Sequence, residues 1–113
     1  MPLTIYHNPR CSKSRQTLDL LIAKGRTPTV VEYLKRPPSV AELTRIVAML
    51  GVSPRDILRK AEANDAGIAP DSMTDKELIE AMVRNPIVIE RPIVVNNGKA
   101  ALGRPPENVL KII

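Results

Sequence analysis

The first 33 residues carry signals for a strand, a helix and a second strand in succession, and this order restricts the fold more than any other feature of the chain. Leu3 to Tyr6 is a short β-compatible run that His7-Asn8-Pro9-Arg10 interrupts. From about Ser12 to Lys24 the sequence is helix-compatible, with Leu18, Leu21 and Ile22 as its apolar stripe and Gly25 as a C-terminal cap. Thr29 to Tyr33 then returns to β-branched residues. Two strands joined by one helix become parallel neighbours, because the right-handed crossover is the connection that packs the helix back onto the sheet. An α/β fold is expected, with Cys11 at its first strand-to-helix turn.

The remainder extends this plan. Pro37-Pro38-Ser39 opens a second helix in which Ser39 and Glu42 have capping-box spacing, and Leu43, Ile46, Val47 and Leu50 recur at helical intervals until Gly51. Ser53-Pro54 starts a short helix through about Lys60, and the weakly patterned Ala61 to Ser72 reads as loop. Thr74 and Glu77 repeat the capping box ahead of Leu78, Ile79, Met82 and Val83, and Asn85-Pro86 ends that helix. Ile93 to Asn96, the turn pair Asn97-Gly98 and Ala100 to Leu102 form a β-hairpin signal, followed by a terminal helix over Pro105 to Ile113. A parallel pair and an antiparallel pair can then share one mixed four-stranded sheet, βαβ followed by ββα, with a helical insertion between the halves.

A chain of 113 residues is the size of one domain, and residues 1–113 are expected to form a single one. Trp and Phe are absent and Tyr6 and Tyr33 are the only aromatic residues, so the core must be aliphatic. No apolar run approaches the roughly 18 residues of a membrane span, and the N-terminus lacks the apolar stretch of a signal peptide. A cytoplasmic protein with no membrane association is expected. One Cys and one His are too few for a zinc site of the familiar types, so no metal and no bound cofactor are expected. The net charge of +5 comes from scattered basic residues without stacking aromatics, which suits a small anion better than nucleic acid. With no obvious oligomerisation stripe, a monomer is expected.

Cys11 is the residue around which chemistry can be argued. A cysteine where a strand turns into a helix faces unpaired backbone N–H groups, whose partial positive charge favours thiolate over thiol. His7, Arg10, Lys13 and Arg15 lie nearby in sequence, and each cation that points inward lowers the thiol pKa further. At the reference pKa of about 8.5 only roughly 3% of a thiol is ionised at pH 7, so a modest downward shift supplies most of the available gain. A free Cys commonly packs as a small hydrophobe, but the polar and turn-forming flanks here argue against an apolar setting. Ser14 occupies the second position of a Cys-x-x-Cys pattern, where a hydroxyl can hydrogen-bond a thiolate or oxyanion but cannot resolve a disulfide. Any redox cycle therefore needs a thiol from another molecule.

The segment from Leu3 through His7-Asn8-Pro9-Arg10-Cys11-Ser12-Lys13-Ser14-Arg15 resembles the active-site opening of the glutaredoxin-coupled arsenate reductases, the ArsC-like branch of the arsenate reductase/Spx superfamily. Tyr33 to Ser39, Asp56 to Lys60, Glu90 to Val95 and Gly103-Arg104-Pro105 look like successive motifs of the same family in the same order. The resemblance implies a thioredoxin-like fold, a cis peptide bond before Pro92, and Arg59, Arg91 and Arg104 as holders of an arsenic oxyanion. Three guanidinium groups suit that task, each offering paired donors and a permanent charge. By the same resemblance Ser14 and Arg15 help seat the anion, and His7 tunes the thiol.

The activity so implied is arsenate reduction. The Cys11 thiolate attacks arsenate and expels an oxygen as water, and glutathione and glutaredoxin then supply two electrons to release arsenite. Glutathione serves as co-substrate. Ser12-Lys13 stands where arsenate reductases of this kind tend to carry Gly-Thr. Two alternatives stay open: a thiol oxidoreductase acting on another oxyanion or on glutathione mixed disulfides, and an Spx-like transcription regulator binding RNA polymerase. Redox-switched members of the latter group usually place a second cysteine three residues after the first, where this chain has Ser14.

Overall fold

A computed structural model describes residues 2–113. The chain divides into two compact units, one comprising the chain up to Arg36 and from Arg91 onward, the other Pro37–Glu90.

The first unit holds β1 (Thr4–His7), α1 (Ser12–Ala23), β2 (Thr29–Glu32), β3 (Ile93–Asn96) and β4 (Lys99–Leu102). The sheet order is β2-β1-β3-β4. β1 runs parallel to β2, with Thr4 opposite Thr29 and His7 opposite Glu32, and antiparallel to β3, with Tyr6 opposite Ile93. β3 and β4 are antiparallel, with Ile93 opposite Leu102. This is the mixed βαβ–ββα sheet expected from the sequence, and it leaves the C-terminal end of β1 in the middle of the sheet. Asn97 (φ 50°) and Gly98 (φ 78°) both take left-handed backbone, as a two-residue hairpin joining right-twisted strands requires. Leu3, Ile5, Leu21, Val94 and Val109 form the buried aliphatic core of this unit.

Two expectations are corrected here. α1 buries Ser14, Thr17 and Leu21, whereas Ile22 is 57% exposed, so the stripe of Leu18, Leu21 and Ile22 is rotated from the true inner face. Positions 14, 17 and 21 share one face at helical spacing, but two of them are hydroxyl residues and an apolar pattern does not register them. The terminal segment Pro106–Ile112 is a 3₁₀ helix, with Val109 buried and the Asn96 side-chain amide donating to the Ile112 carbonyl at 2.7 Å.

The second unit contains α2 (Val40–Leu50), α3 (Lys60–Asp65) and α4 (Asp75–Arg84), with 3₁₀ turns at Pro54–Ile57, Pro70–Ser72 and Pro86–Val88. Ser39 Oγ accepts from the Glu42 N–H at the start of α2, and Gly51 (φ 70°) closes that helix. Thr74 and Glu77 complete a reciprocal capping box on α4. Leu43, Ile46, Ile57, Leu78, Met82 and Val88 are fully buried. The helix expected from Pro54 to Lys60 is instead interrupted. Leu58 is extended and bridges Ile89, the Arg59 N–H donates to the Val88 carbonyl at 2.7 Å, and the Glu90 N–H donates to the Ile57 carbonyl at 2.7 Å. α3 then forms inside the stretch read as loop, and with only Ala63 buried it has no apolar stripe to announce it. No helix among the described residues is long and apolar enough to cross a membrane.

Candidate active site at the first strand-to-helix turn

β1 delivers His7 and Asn8 into buried positions, and Asn8 then organises the turn. Its side-chain oxygen accepts from the Arg10 N–H, its carbonyl accepts from the Cys11 N–H, and its own N–H donates to Ser14 Oγ, each at 3.0 Å. Cys11 is thereby placed as the N-cap of α1 in extended backbone (φ −93°, ψ 123°), and its carbonyl accepts from the Arg15 N–H.

Cys11 is 9% exposed, in polar company. Arg104 Nη2 lies 3.7 Å from Sγ, and Arg104 Nε donates to the Arg91 carbonyl at 2.8 Å, so the two arginines are tied to one another as well as to the sulfur. Burial by itself pushes the Cys11 pKa up. Hydrogen bonding from the Ser14 N–H, then the hydrogen bond and charge of Arg91, then the Lys13 N–H together outweigh it, and the thiol is held below its ordinary value. A helix N-terminus and a guanidinium thus act in the same direction on one atom.

His7 Nδ1 stands 2.6 Å from Ser14 Oγ, and Ser14 is fully buried. Burial lowers the His7 pKa first, with Glu32 raising it, Arg15 lowering it and Asp19 raising it, and the net direction is down. A neutral ring whose Nδ1 accepts from the Ser14 hydroxyl, while the hydroxyl oxygen accepts from the Asn8 N–H, is consistent with both contacts. The residue expected to offer a hydroxyl to the anion thus turns it toward His7 and presents its backbone N–H to the sulfur. Arg15 Nη1 donates to the Pro9 carbonyl at 2.9 Å. Arg59 belongs to the other unit, where it is the N-cap of α3 and pairs with Glu62 at 2.8 Å and Glu90 at 3.9 Å.

The structure thus brings Cys11, Arg91, Arg104, His7, Ser14 and Arg15 into one region of the first unit. Sequence reasoning missed Asn8, Thr17 and Gly103. Asn-Pro-Arg is a turn signature that could have pointed to Asn8. A Cβ on Gly103 would stand 2.4 Å from Thr17 Oγ1 and 2.7 Å from Pro92 Cγ, so the residue before Arg104 packs directly against α1 and the Pro92 loop. The Arg91–Pro92 peptide is cis, as the resemblance implies, and Arg104–Pro105 is cis as well. Among the described residues no group of three or more His, Cys, Asp and Glu side chains is placed to hold a metal ion.

Comparison with known proteins bears on the same residues. A family model, described as the ArsC family, matches residues 6–112. An uncharacterized protein of Escherichia coli K12, YfgD, is 51% identical over 112 residues, covering 96% of this chain and 94% of its own. An arsenate reductase of Acidiphilium multivorum is 45% identical over 113 residues, covering 98% of this chain and 80% of its own. The solved structure of an arsenate reductase from Vibrio cholerae matches with a TM-score of 0.89 at 46% identity, covering 100% of this chain and 98% of that one.

Proposed function

The chain belongs to the ArsC family, and from that premise we propose that it is a cytoplasmic arsenate reductase that draws its electrons from glutathione and glutaredoxin. The observation that carries the reading is the pairing of Arg91 and Arg104 on a Cys11 thiol whose pKa is already held low. A thiolate is a competent nucleophile, and guanidinium groups beside it neutralise the oxyanion that must approach a negatively charged sulfur. The named arsenate reductases at about 45% identity support the same substrate.

In this mechanism Cys11 Sγ bonds to arsenic(V) and one oxygen departs as water. The glutathione sulfur then bonds to the same arsenic and displaces a second oxygen. A glutaredoxin thiolate attacks the glutathione sulfur, the arsenic–sulfur bond breaks with its electron pair left on arsenic, and a glutaredoxin–glutathione disulfide departs. Hydrolysis of the remaining Cys11–arsenic(III) bond releases arsenite and restores the thiol. The two electrons come from the two external sulfurs, as a chain with one cysteine requires. Ser14, through its backbone N–H, and Arg15 belong to the same proposal as further contributors to anion binding.

NADPH consumption with arsenate, glutathione, glutaredoxin and glutathione reductase tests the reading. Wild type turns over, Cys11→Ser does not, and Arg91→Ala loses about 10- to 150-fold in kcat/KM, the equivalent of one charge-assisted hydrogen bond of about 1.5–3 kcal/mol. Absence of arsenate-dependent turnover in wild type would overturn it.

A further inference from the structure

The turn that carries Cys11 also forms one wall of a separate cavity of about 300 Å³, whose opposite wall comes from the end of β2 and the residues after it. Asn8, Pro9 and Arg10 line one side, and Glu32, Leu34 and Lys35 the other. We propose that this cavity docks the peptide body of the thiol co-substrate, a small tripeptide with two carboxylates and one ammonium, so that its sulfur meets Cys11. The inference rests on the arsenate reductase reading and names the subsite its second substrate uses.

The chemistry of the walls favours that ligand class. Arg10 and Lys35 are exposed cations that can each take a carboxylate, and Glu32 supplies one carboxylate for an ammonium group. Two cations and one anion complement a peptide with two carboxylates and one amine. His7 adds no third cation, since burial lowers its pKa. Lys35 and Glu32 already face each other at 3.7 Å, but with side chains 78% and 43% exposed. An exposed pair of this kind contributes little, and a ligand offering better partners to both heads can displace it. Leu34 and Pro9 give an apolar wall that an inorganic oxyanion cannot use, and Glu32 repels such an ion. The volume lies at the lower end of small-molecule sites. Arg10 directly precedes Cys11 in the chain, so the cavity wall belongs to the same turn that carries the nucleophile.

The test uses S-methylglutathione, which keeps both carboxylates and the amine but cannot react with Cys11, and follows backbone amide shifts of the whole chain. Saturable shifts centred on residues 7–10 and 32–35 are expected, with affinity falling at least tenfold in the Arg10→Glu/Lys35→Glu double variant. Both positions are solvent-exposed, so the variant should fold. Lack of saturable shifts, equal affinity in the double variant, or displacement by equimolar inorganic phosphate would each overturn the proposal. Binding without arsenate turnover in wild type would support the pocket and remove the arsenate reading. Turnover whose KM for glutathione is the same in the double variant would remove the pocket and leave that reading standing.

Discussion

Gly103→Ala tests how the site is held together. A Cβ at this position meets Thr17 Oγ1 at 2.4 Å, Pro92 Cγ at 2.7 Å and Thr17 Cγ2 at 3.0 Å. Thr17 is a short, fully buried side chain whose hydroxyl already donates to the Lys13 carbonyl at 2.8 Å, and Pro92 is a buried rigid ring. Neither can swing aside, so the backbone must move. Gly103 is not one of the glycines at positive φ, which leaves steric exclusion as the whole cost. Overpacking of a closed interior by one methyl costs about 1–3 kcal/mol. At about 4 °C per kcal/mol for a chain of this size, the melting temperature falls by about 4–12 °C. Because Arg104 is the next residue, its guanidinium also moves relative to Sγ, and Cys11 alkylation at pH 7 slows. Urea denaturation of wild type, Gly103→Ala, Thr17→Ala and the double variant measures the clash as a coupling energy of about 1 kcal/mol, since removing the threonine atoms relieves part of it. A Gly103→Ala stability within about 0.5 kcal/mol of wild type, or strict additivity in the cycle, would refute the steric argument.

Ser14→Ala separates the two ends of one residue. It leaves the buried Asn8 N–H and His7 Nδ1 without the hydroxyl, so urea denaturation should show a loss of about 1–3 kcal/mol, while Cys11 keeps its low alkylation pKa because the backbone N–H faces the sulfur. A Cys11 pKa restored to that of a free thiol would contradict this assignment. At the α4 capping box the Thr74 backbone N–H, then the Thr74 side chain, lower the Glu77 pKa against a small opposing effect of burial. The carboxylate therefore stabilises the fold fully above the ordinary glutamate pKa, and that contribution is lost as pH falls through the lowered folded value. The urea midpoints of wild type and Glu77→Ala should converge on acidification, and a gap that stays constant from pH 7 down to acid would exclude the linkage.

The parts of the fold that depend on apolar period or on turn chemistry were legible in the sequence. The stripes of α2 and α4, the Thr74–Glu77 box and the Asn97-Gly98 hairpin each act through neighbours a few residues apart. The parts that escaped it depend on partners far along the chain. Leu58 leaves a helical run because Ile89 is there to bridge it, and α1 turns Thr17 inward because Gly103 makes room for it. At the site, Cys11 at a helix N-terminus was readable from residue order. The meeting of Arg91 and Arg104 on its sulfur was reached only through a resemblance, because no spacing rule brings residues 80 or more positions away to one atom. The orientation of Ser14 was not legible at all: its hydroxyl and its N–H are both plausible donors to the thiolate, and only the burial of His7 decides which one is used.

The central claim is that Arg91, Arg104 and the start of α1 favour the thiolate form of Cys11 and hold its pKa below the ordinary value, and the pH dependence of Cys11 alkylation by iodoacetamide tests it most directly. The account predicts a midpoint below the roughly 8.5 of a free cysteine that rises when Arg91 is replaced by alanine. A wild-type midpoint at or above the free value, or one that Arg91→Ala leaves unchanged, would contradict it.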